Sequence, residues 1–159
     1  LKVCQDLRLM SSGPETGFGE VVLPPAQPGS SMMPGKVNPV IPEFAMQLCF
    51  RVMGLHGACQ AALDHGELDL NVWESVAVCG VLESMELLEA GAEALAARCI
   101  GGLRVVAERN ARNARTIIPL LTDLMKRHGY ARISALCREA GGDMGRLRKR
   151  LAEEFPEAR

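Results

Sequence analysis

The distribution of hydrophobic and polar positions predicts two long helices in the first hundred residues. Nearly every position from Phe44 to Leu63 is apolar, and the exceptions are scattered singly. A second run, residues 70–98, is rich in Val, Leu and Ala, and its later half carries four glutamates three or four positions apart, which is the spacing of one solvated helix face. The charged segment DHGELD at 64–69 separates the two runs. We therefore expect helices near 40–63 and 70–98, packed antiparallel.

The rest of the chain also follows helical periodicity. The opening LKVCQDLRLM is apolar at positions 1, 3, 4, 7 and 10, and it begins with neither a capping residue nor Met, so we expect the C-terminal piece of a longer protein. Glycines punctuate the end of the chain into shorter predicted helices near 104–112, 118–127, 130–140 and 143–154. The predicted fold class is all-α. Residues 1–101 form part of a long-helix bundle, and residues 102–159 form a small helical C-terminal domain.

The first long helix is apolar on almost every side. A helix of this kind must be buried on most of its surface. One chain of 159 residues offers too little material to cover it. We therefore expect equivalent helices of other subunits to cover it in a homo-oligomer, and a set of four is the arrangement we predict.

The charge of the chain is unevenly distributed. Residues 1–101 carry 5 basic and 12 acidic side chains, a net charge of −7, whereas residues 102–159 carry 13 basic and 7 acidic side chains, a net charge of +6. The basic residues lie at helical spacing among Leu, Ala and Glu, and the aromatic residues of this segment are Tyr130 and Phe155. A solvated face or a contact with an acidic surface explains this pattern better than nucleic-acid binding.

The cysteines and the hydropathy indicate the cellular compartment in which the protein is expected. Six cysteines occur without any CxxC pair, which argues against a zinc ribbon or a redox motif, and most lie in apolar helical stretches. Free cysteines in such positions are typical of a reducing compartment, so we expect a cytoplasmic protein. No apolar run reaches the ~18–20 residues of a membrane span, so no membrane partner is expected.

The candidate chemistry lies in an irregular stretch before the first long helix. Residues 29–43 read GSSMMPGKVNPVIPE. This is not a phosphate-binding P-loop, because five residues rather than four separate its glycines and Val37 stands where that motif needs Ser or Thr. Ser30, Ser31, Lys36 and Asn38 instead supply hydroxyls, a cation and an amide that suit a carboxylate. From composition alone, an ordinary exposed turn explains these residues equally well.

The same stretch resembles the signature loop of the fumarase/aspartase superfamily, G-S-S-x-M-P-x-K-x-N-P, at every fixed position. The flanking segments 6–24, 48–54 and 66–72 are also similar to that family. The resemblance is close over residues 1–100 and weaker beyond. It implies that the chain supplies the end of a central helical bundle and a small C-terminal domain.

The resemblance also implies a role for each residue of the loop. The superfamily removes a proton next to a substrate carboxylate and releases fumarate. By resemblance Ser30 is the base, and Ser31, Lys36 and Asn38 bind the substrate dicarboxylate. Glu43 matches a glutamate that orients a histidine of another segment, although an acidic residue in the first turn of a helix is equally well explained by the helix dipole. In our interpretation, Gly29 and Gly35 are hinges of signature loop 29–39. No metal and no organic cofactor is implied.

Two further residue patterns bear on the substrate. VNPVIPE and LNVWE are more similar to aspartases than to class II fumarases, so the resemblance implies elimination of ammonia from L-aspartate in a tetramer with active sites shared among subunits. The alternatives are a class II fumarase acting on malate, and a non-catalytic helical assembly module that retained the loop. The residues that recognise the amino or hydroxyl leaving group are expected upstream of this chain. The 159-residue chain alone is therefore expected to be inactive.

Overall fold

The computed structural model describes residues 1–29, 32–33 and 35–156. The structure is 69% helical, and the predicted all-α fold class is confirmed. The helices are α1 Lys2–Met10, α2 Val40–Asp64, α3 Glu74–Arg98, α4 Ala107–Ala114, α5 Ile117–His128, α6 Tyr130–Ala140 and α7 Met144–Glu154. A 3₁₀ turn at Ile100–Gly102 and two short strands, β1 Val21–Val22 and β2 Arg104–Val105, complete the secondary structure of the described residues.

The chain divides into two compact units. Unit 1 is Leu1–Val106 and unit 2 is Ala107–Arg159. The sequence placed the boundary at 101/102. In the structure the extra residues belong to unit 1 because Arg104–Val105 form β2, which pairs antiparallel with β1, Val21 lying opposite Val105 and Val22 opposite Arg104.

Helices α2 and α3 form an antiparallel pair. Leu48 lies near Gly91, Arg51 pairs with Glu83, and Cys59 lies near Gly80. Residue numbers thus increase along α2 while those of the contacting residues decrease along α3, so the helices are antiparallel. Two buried glycines allow the close approach. A Cβ at Gly80 would lie 3.1 Å from the Cys59 sulfur, and one at Gly91 would lie 3.3 Å from Leu48 Cδ1.

The segment between these helices is a hydrogen-bonded turn rather than the start of α3. Helix α3 begins at Glu74, four residues later than the predicted 70. The amide of Asn71 donates to the Ala62 carbonyl at 2.9 Å, and the Trp73 indole N–H donates to the His65 carbonyl at 2.9 Å. These bonds satisfy two carbonyl groups at the end of α2. If α3 began at residue 70, those carbonyl groups would lose these two donors.

Two clusters of buried side chains hold the two units. In unit 1 the buried cluster is Leu7, Leu23 and Cys99, which joins α1, the segment after β1 and the end of α3. In unit 2 the core comes from α5, α6 and α7 and includes Leu124, Ile133, Leu147 and Leu151. The carboxylate of Asp143 caps α7 by accepting from the Arg146 N–H at 3.0 Å.

Much of the α2–α3 pair is left uncovered in the single chain. Large apolar side chains are exposed along both helices, among them Phe50, Met53, Val81, Leu82 and Met85. The burial expected for the first long helix is therefore not provided by this chain. Among the described residues, no helix has both the length and the apolar character needed to cross a membrane.

Candidate active site

The candidate site is the irregular segment between β1 and α2. Within it the structure describes residues 23–29, 32–33 and 35–39. Ser30 and Ser31, the predicted base and its neighbour, lie outside the described residues. The predicted site residues that the structure describes are Gly29, Gly35, Lys36, Asn38 and Glu43.

Gly29 and Lys36 close the segment into a loop. The Gly29 N–H donates to the Lys36 carbonyl at 3.0 Å. A Cβ at Gly29 would lie 2.3 Å from that same carbonyl oxygen, so the backbones approach more closely than any side chain permits. Glycine is required here for close approach rather than for its φ angle. The contact fixes the two ends of the segment that carries the serines.

Gly35 meets a different requirement. Its φ is +80°, in the region that favours glycine, and a Cβ there would meet no atom within 4 Å. The next residue, Lys36, donates its N–H to the Met33 carbonyl at 3.2 Å, which makes a tight turn. The turn depends on the left-handed backbone of Gly35, so the two predicted hinge glycines differ in what they do locally.

Asn38 adds a second tie across the loop. Its Nδ2 donates to the Gly29 carbonyl at 3.3 Å, so both backbone polar groups of Gly29 are bonded within the loop. An amide nitrogen carries two hydrogens, and one of them is used here. The other hydrogen and the amide oxygen give Asn38 capacity for a ligand while its side chain is held in place.

Lys36 lies on the rim of a shallow cavity of about 430 Å³. Gly29, Met33, Gly35 and Val37 also line it, together with residues 25–28. The lysine is exposed and the neighbouring Asn38 is half-buried. A lysine cation and a held amide are both groups that bind carboxylates, and this role of Lys36 and Asn38 stays a prediction.

Glu43 lies in the first turn of α2, where its N–H donates to the Pro39 carbonyl at 3.1 Å. Its Oε1 accepts from Arg8 Nε at 3.3 Å, and the same guanidinium donates through Nη1 to Gln5 Oε1 at 3.1 Å. Glu43 is therefore held by an arginine of α1. Sequence reasoning missed Arg8. The available signal was its place in the segment 6–24, which carries part of the family resemblance.

The ring of His65 is bonded locally, at the end of α2. His65 Nδ1 lies 2.8 Å from the Ala61 carbonyl, four residues earlier in the chain. Among the described residues, no three His, Cys, Asp or Glu side chains lie close enough together to hold a metal ion.

One buried thiol near the α1–α3 contact has a shifted pKa. Burial raises the pKa of Cys99 above its ordinary value of 9.0, and the neighbouring Cys4 adds to the rise. Both cysteines are buried, and all six cysteines of the chain are free thiols. The raised pKa keeps Cys99 protonated and unreactive, which fits a packing role rather than a nucleophilic one.

Comparison with known proteins extends the resemblance. A family model described as "Lyase" matches residues 1–54. The chain is 43% identical over 139 residues to an aspartate ammonia-lyase of Pseudomonas aeruginosa, covering 87% of the chain and 29% of the relative. It is 39% identical over 143 residues to the aspartate ammonia-lyase of Escherichia coli K12, covering 88% of the chain and 30% of the relative. The chain thus spans about a third of the length of these relatives.

The structural comparisons agree. A class II fumarase from Schistosoma mansoni matches 96% of the chain with a TM-score of 0.85 at 34% identity, and the match covers 32% of that structure. A structure described as fumarate lyase:delta crystallin from Brucella melitensis matches 97% of the chain with a TM-score of 0.78 at 41% identity, covering 34% of its length. The matches extend into unit 2, where the sequence resemblance was weaker.

Proposed function

We propose that the chain belongs to the fumarase/aspartase superfamily and that it is the C-terminal part of an aspartate ammonia-lyase, which eliminates ammonia from L-aspartate to give fumarate. The observation that carries the proposal is the identity of about 40% to aspartate ammonia-lyases over nearly nine-tenths of the chain. The complete signature loop and its internal hydrogen bonds support it.

In the proposed mechanism, Ser30 acts as its alkoxide and takes a proton from the carbon next to the substrate carboxylate that the loop binds, which returns the serine to its hydroxyl form. The electron pair left on that carbon spreads into the carboxylate, and the C–N bond breaks to release ammonia and form the double bond of fumarate. Lys36 and Asn38, with the Ser31 hydroxyl and backbone, stabilise the doubly negative carboxylate that develops. The ties among Gly29, Lys36 and Asn38 support this assignment, because they hold the Asn38 amide and the backbone of Lys36 in place before substrate binds.

Two substitutions test the division of roles in the full-length protein. Ser30→Ala should lower kcat by orders of magnitude with little change in KM, since it removes the base and no ground-state contact. Lys36→Ala should lower kcat and raise KM, since the cation acts in both binding and catalysis. Fumarate release followed by ultraviolet absorbance measures both. Near-native turnover of Ser30→Ala with aspartate, and with malate too, would refute the assignment of the base.

The residues that bind the leaving amine are proposed to lie in the longer protein. The isolated 159-residue chain is then expected to release no fumarate from aspartate. Measurable turnover by the isolated chain would contradict this expectation.

The second candidate is a class II fumarase acting on malate. It is favoured by the structural match to the Schistosoma mansoni enzyme, whose TM-score is higher than that of the Brucella melitensis structure. Comparing kcat/KM for aspartate and malate in the full-length protein separates the two. A preference for malate would replace the ammonia-lyase assignment and leave the roles of Ser30, Lys36 and Asn38 in place.

The uncovered apolar face of α2 and α3 supports a proposed homotetramer with active sites shared among subunits. Side chains such as Phe50, Met53, Val81 and Met85 are more than half exposed in the single chain. Large exposed apolar patches mark interaction surfaces. Light scattering on the full-length protein should give the mass of four subunits. A stable monomer at micromolar concentration would be inconsistent with it.

A further inference from the structure

Unit 2 contains a cavity of about 530 Å³ at the corner where α4 meets α5. Its lining residues come from α4, from the α4–α5 connection and from α7, and they are Glu108, Ala111, Arg112, Arg115, Thr116 and Arg148. Three of these six residues are arginines. The cavity lies within the size range of small-molecule sites.

The arginines converge from distant parts of the sequence. Arg112 is in the last turn of α4, Arg115 directly follows that helix, and Arg148 comes from the middle of α7. Arg148 Nη2 donates to the Arg115 carbonyl at 3.2 Å, a contact across 33 residues. This bond holds the Arg148 guanidinium at the cavity and leaves its other N–H groups as donors. The arrangement is therefore a product of the tertiary fold and not of one basic segment.

The charge of the cavity is poorly balanced by its own lining. The lining residues include three arginines and one glutamate, Glu108, which together give a formal charge of +2. Three other acids of unit 2 pair elsewhere, Asp123 with Arg127, Glu154 with Arg132, and Glu139 with Arg150. Concentrating like charges around a concave surface is unfavourable unless an anion is attracted to it.

The residue types in the lining indicate which class of anion the cavity could bind. Planar guanidinium groups bind phosphate oxygens in pairs of hydrogen bonds, and Arg is the preferred residue for that recognition. The lining residues include no aromatic ring on which a base could stack. Thr116, which caps α5 without a side-chain hydrogen bond to that helix, adds a hydroxyl. The donors thus suit a compact group with several oxygens and more than one negative charge.

We propose that this cavity binds the phosphate or diphosphate group of a small molecule. The proposal does not depend on the lyase assignment, because no residue of the cavity belongs to signature loop 29–39. Inorganic diphosphate and a nucleoside diphosphate share the recognised group. Because the lining provides no stacking surface, the adenosine of ADP should add no affinity.

The test is calorimetric titration of the full-length protein with inorganic pyrophosphate, and separately with ADP, at about 0.1 M salt. Wild-type protein should bind one pyrophosphate per chain. Arg112→Gln and Arg148→Gln should each weaken binding about 3- to 10-fold, less than for a buried charged hydrogen bond because the cavity is open to solvent. Glu108→Gln should strengthen binding about 2- to 5-fold, because it removes the repelling carboxylate.

The matched control is Arg146→Gln, which removes one guanidinium from the same helix α7 at a residue that does not line the cavity. It should change the affinity by less than about twofold. Equal weakening by Arg146→Gln and Arg112→Gln would mean non-specific attraction to a basic unit and would overturn the proposal. Absence of saturable pyrophosphate binding to the wild type would overturn it too. ADP binding more than about tenfold tighter than pyrophosphate would overturn the assignment to the phosphate group alone.

Discussion

Replacing Gly29 by alanine should separate the stability of the protein from its catalysis. In the structure a Cβ at this position would lie 2.3 Å from the Lys36 carbonyl oxygen and 2.8 Å from its carbonyl carbon. Both are backbone atoms, so no rotamer change relieves the contact. The two segments must move apart by about 0.7 Å before the oxygen is even 3.0 Å away, and by about 1 Å for an ordinary contact.

A movement of that size breaks the loop closure. The Gly29 N–H to Lys36 carbonyl bond, now 3.0 Å, would lengthen beyond the ~3.2 Å limit of good geometry, and the Asn38 amide bond to the Gly29 carbonyl would be disturbed with it. One such exposed hydrogen bond contributes about 1 kcal/mol to stability. That corresponds to roughly 2–4 °C in the thermal midpoint of a domain of ordinary size.

The effect on catalysis should be much larger. Lys36 and Asn38 are the proposed carboxylate donors, and a misplacement of about 1 Å costs on the order of 100-fold in rate. We therefore expect Gly29→Ala in the full-length protein to lose about 100-fold in kcat/KM for aspartate while its thermal midpoint falls by less than about 5 °C. Fumarate release and thermal denaturation followed by circular dichroism measure the two quantities.

Gly66→Ala is the matched control, because a Cβ there meets its nearest atom, Asn71 Nδ2, at an ordinary 3.4 Å. It should leave kcat/KM within about threefold of the wild type. Two results would refute the reasoning about Gly29. One is a Gly29→Ala protein with near-native turnover, which would mean that the closed loop is not needed. The other is a loss of activity explained by a fall of more than about 10 °C in the thermal midpoint, which would make Gly29 a structural residue only.

Three further predictions concern packing, charge and titration. Leu151 is 0% exposed, and Leu151→Ala should lower the free energy of unfolding, measured by urea denaturation, by about 2–5 kcal/mol. Met144 is 48% exposed, and Met144→Ala should lower it by less than about 1 kcal/mol. Equal effects of the two substitutions would contradict the assigned core. Arg8→Gln should cost less than about 1 kcal/mol, since the Arg8–Glu43 pair is about one-third exposed; a larger loss in thermal denaturation would contradict a surface ion pair. Because burial raises the pKa of Cys99, the folded state keeps a thiol proton that the unfolded state releases at high pH. The stability contributed by this thiol is therefore complete below about pH 8 and is lost as pH rises through the folded pKa. Cys99→Ala should flatten the decline of urea stability above about pH 9, and an unchanged slope would refute this prediction.

The sequence alone determined the helical architecture of the chain. The apolar run beginning near Phe44 and the glutamate stripe of the second long helix predicted elements that the structure places at Val40–Asp64 and Glu74–Arg98. Helical periodicity is a local property, since residues three and four apart share one face whatever the rest of the chain does. The signature loop and its family resemblance were likewise legible, because their chemistry depends on residue types at fixed spacing.

The tertiary structure decided which distant residues meet. Strand β2 was read as the beginning of a helix, because the pairing of Val105 with Val21 joins positions more than eighty residues apart and leaves no periodic trace in two residues. Arg8 beside Glu43 was missed for the same reason. The need for glycine at position 29 follows from one backbone contact with Lys36, and the contact of Arg148 with Arg115 follows from the packing of unit 2. Such contacts depend on how finished elements pack against one another, and a local pattern carries no information about that packing.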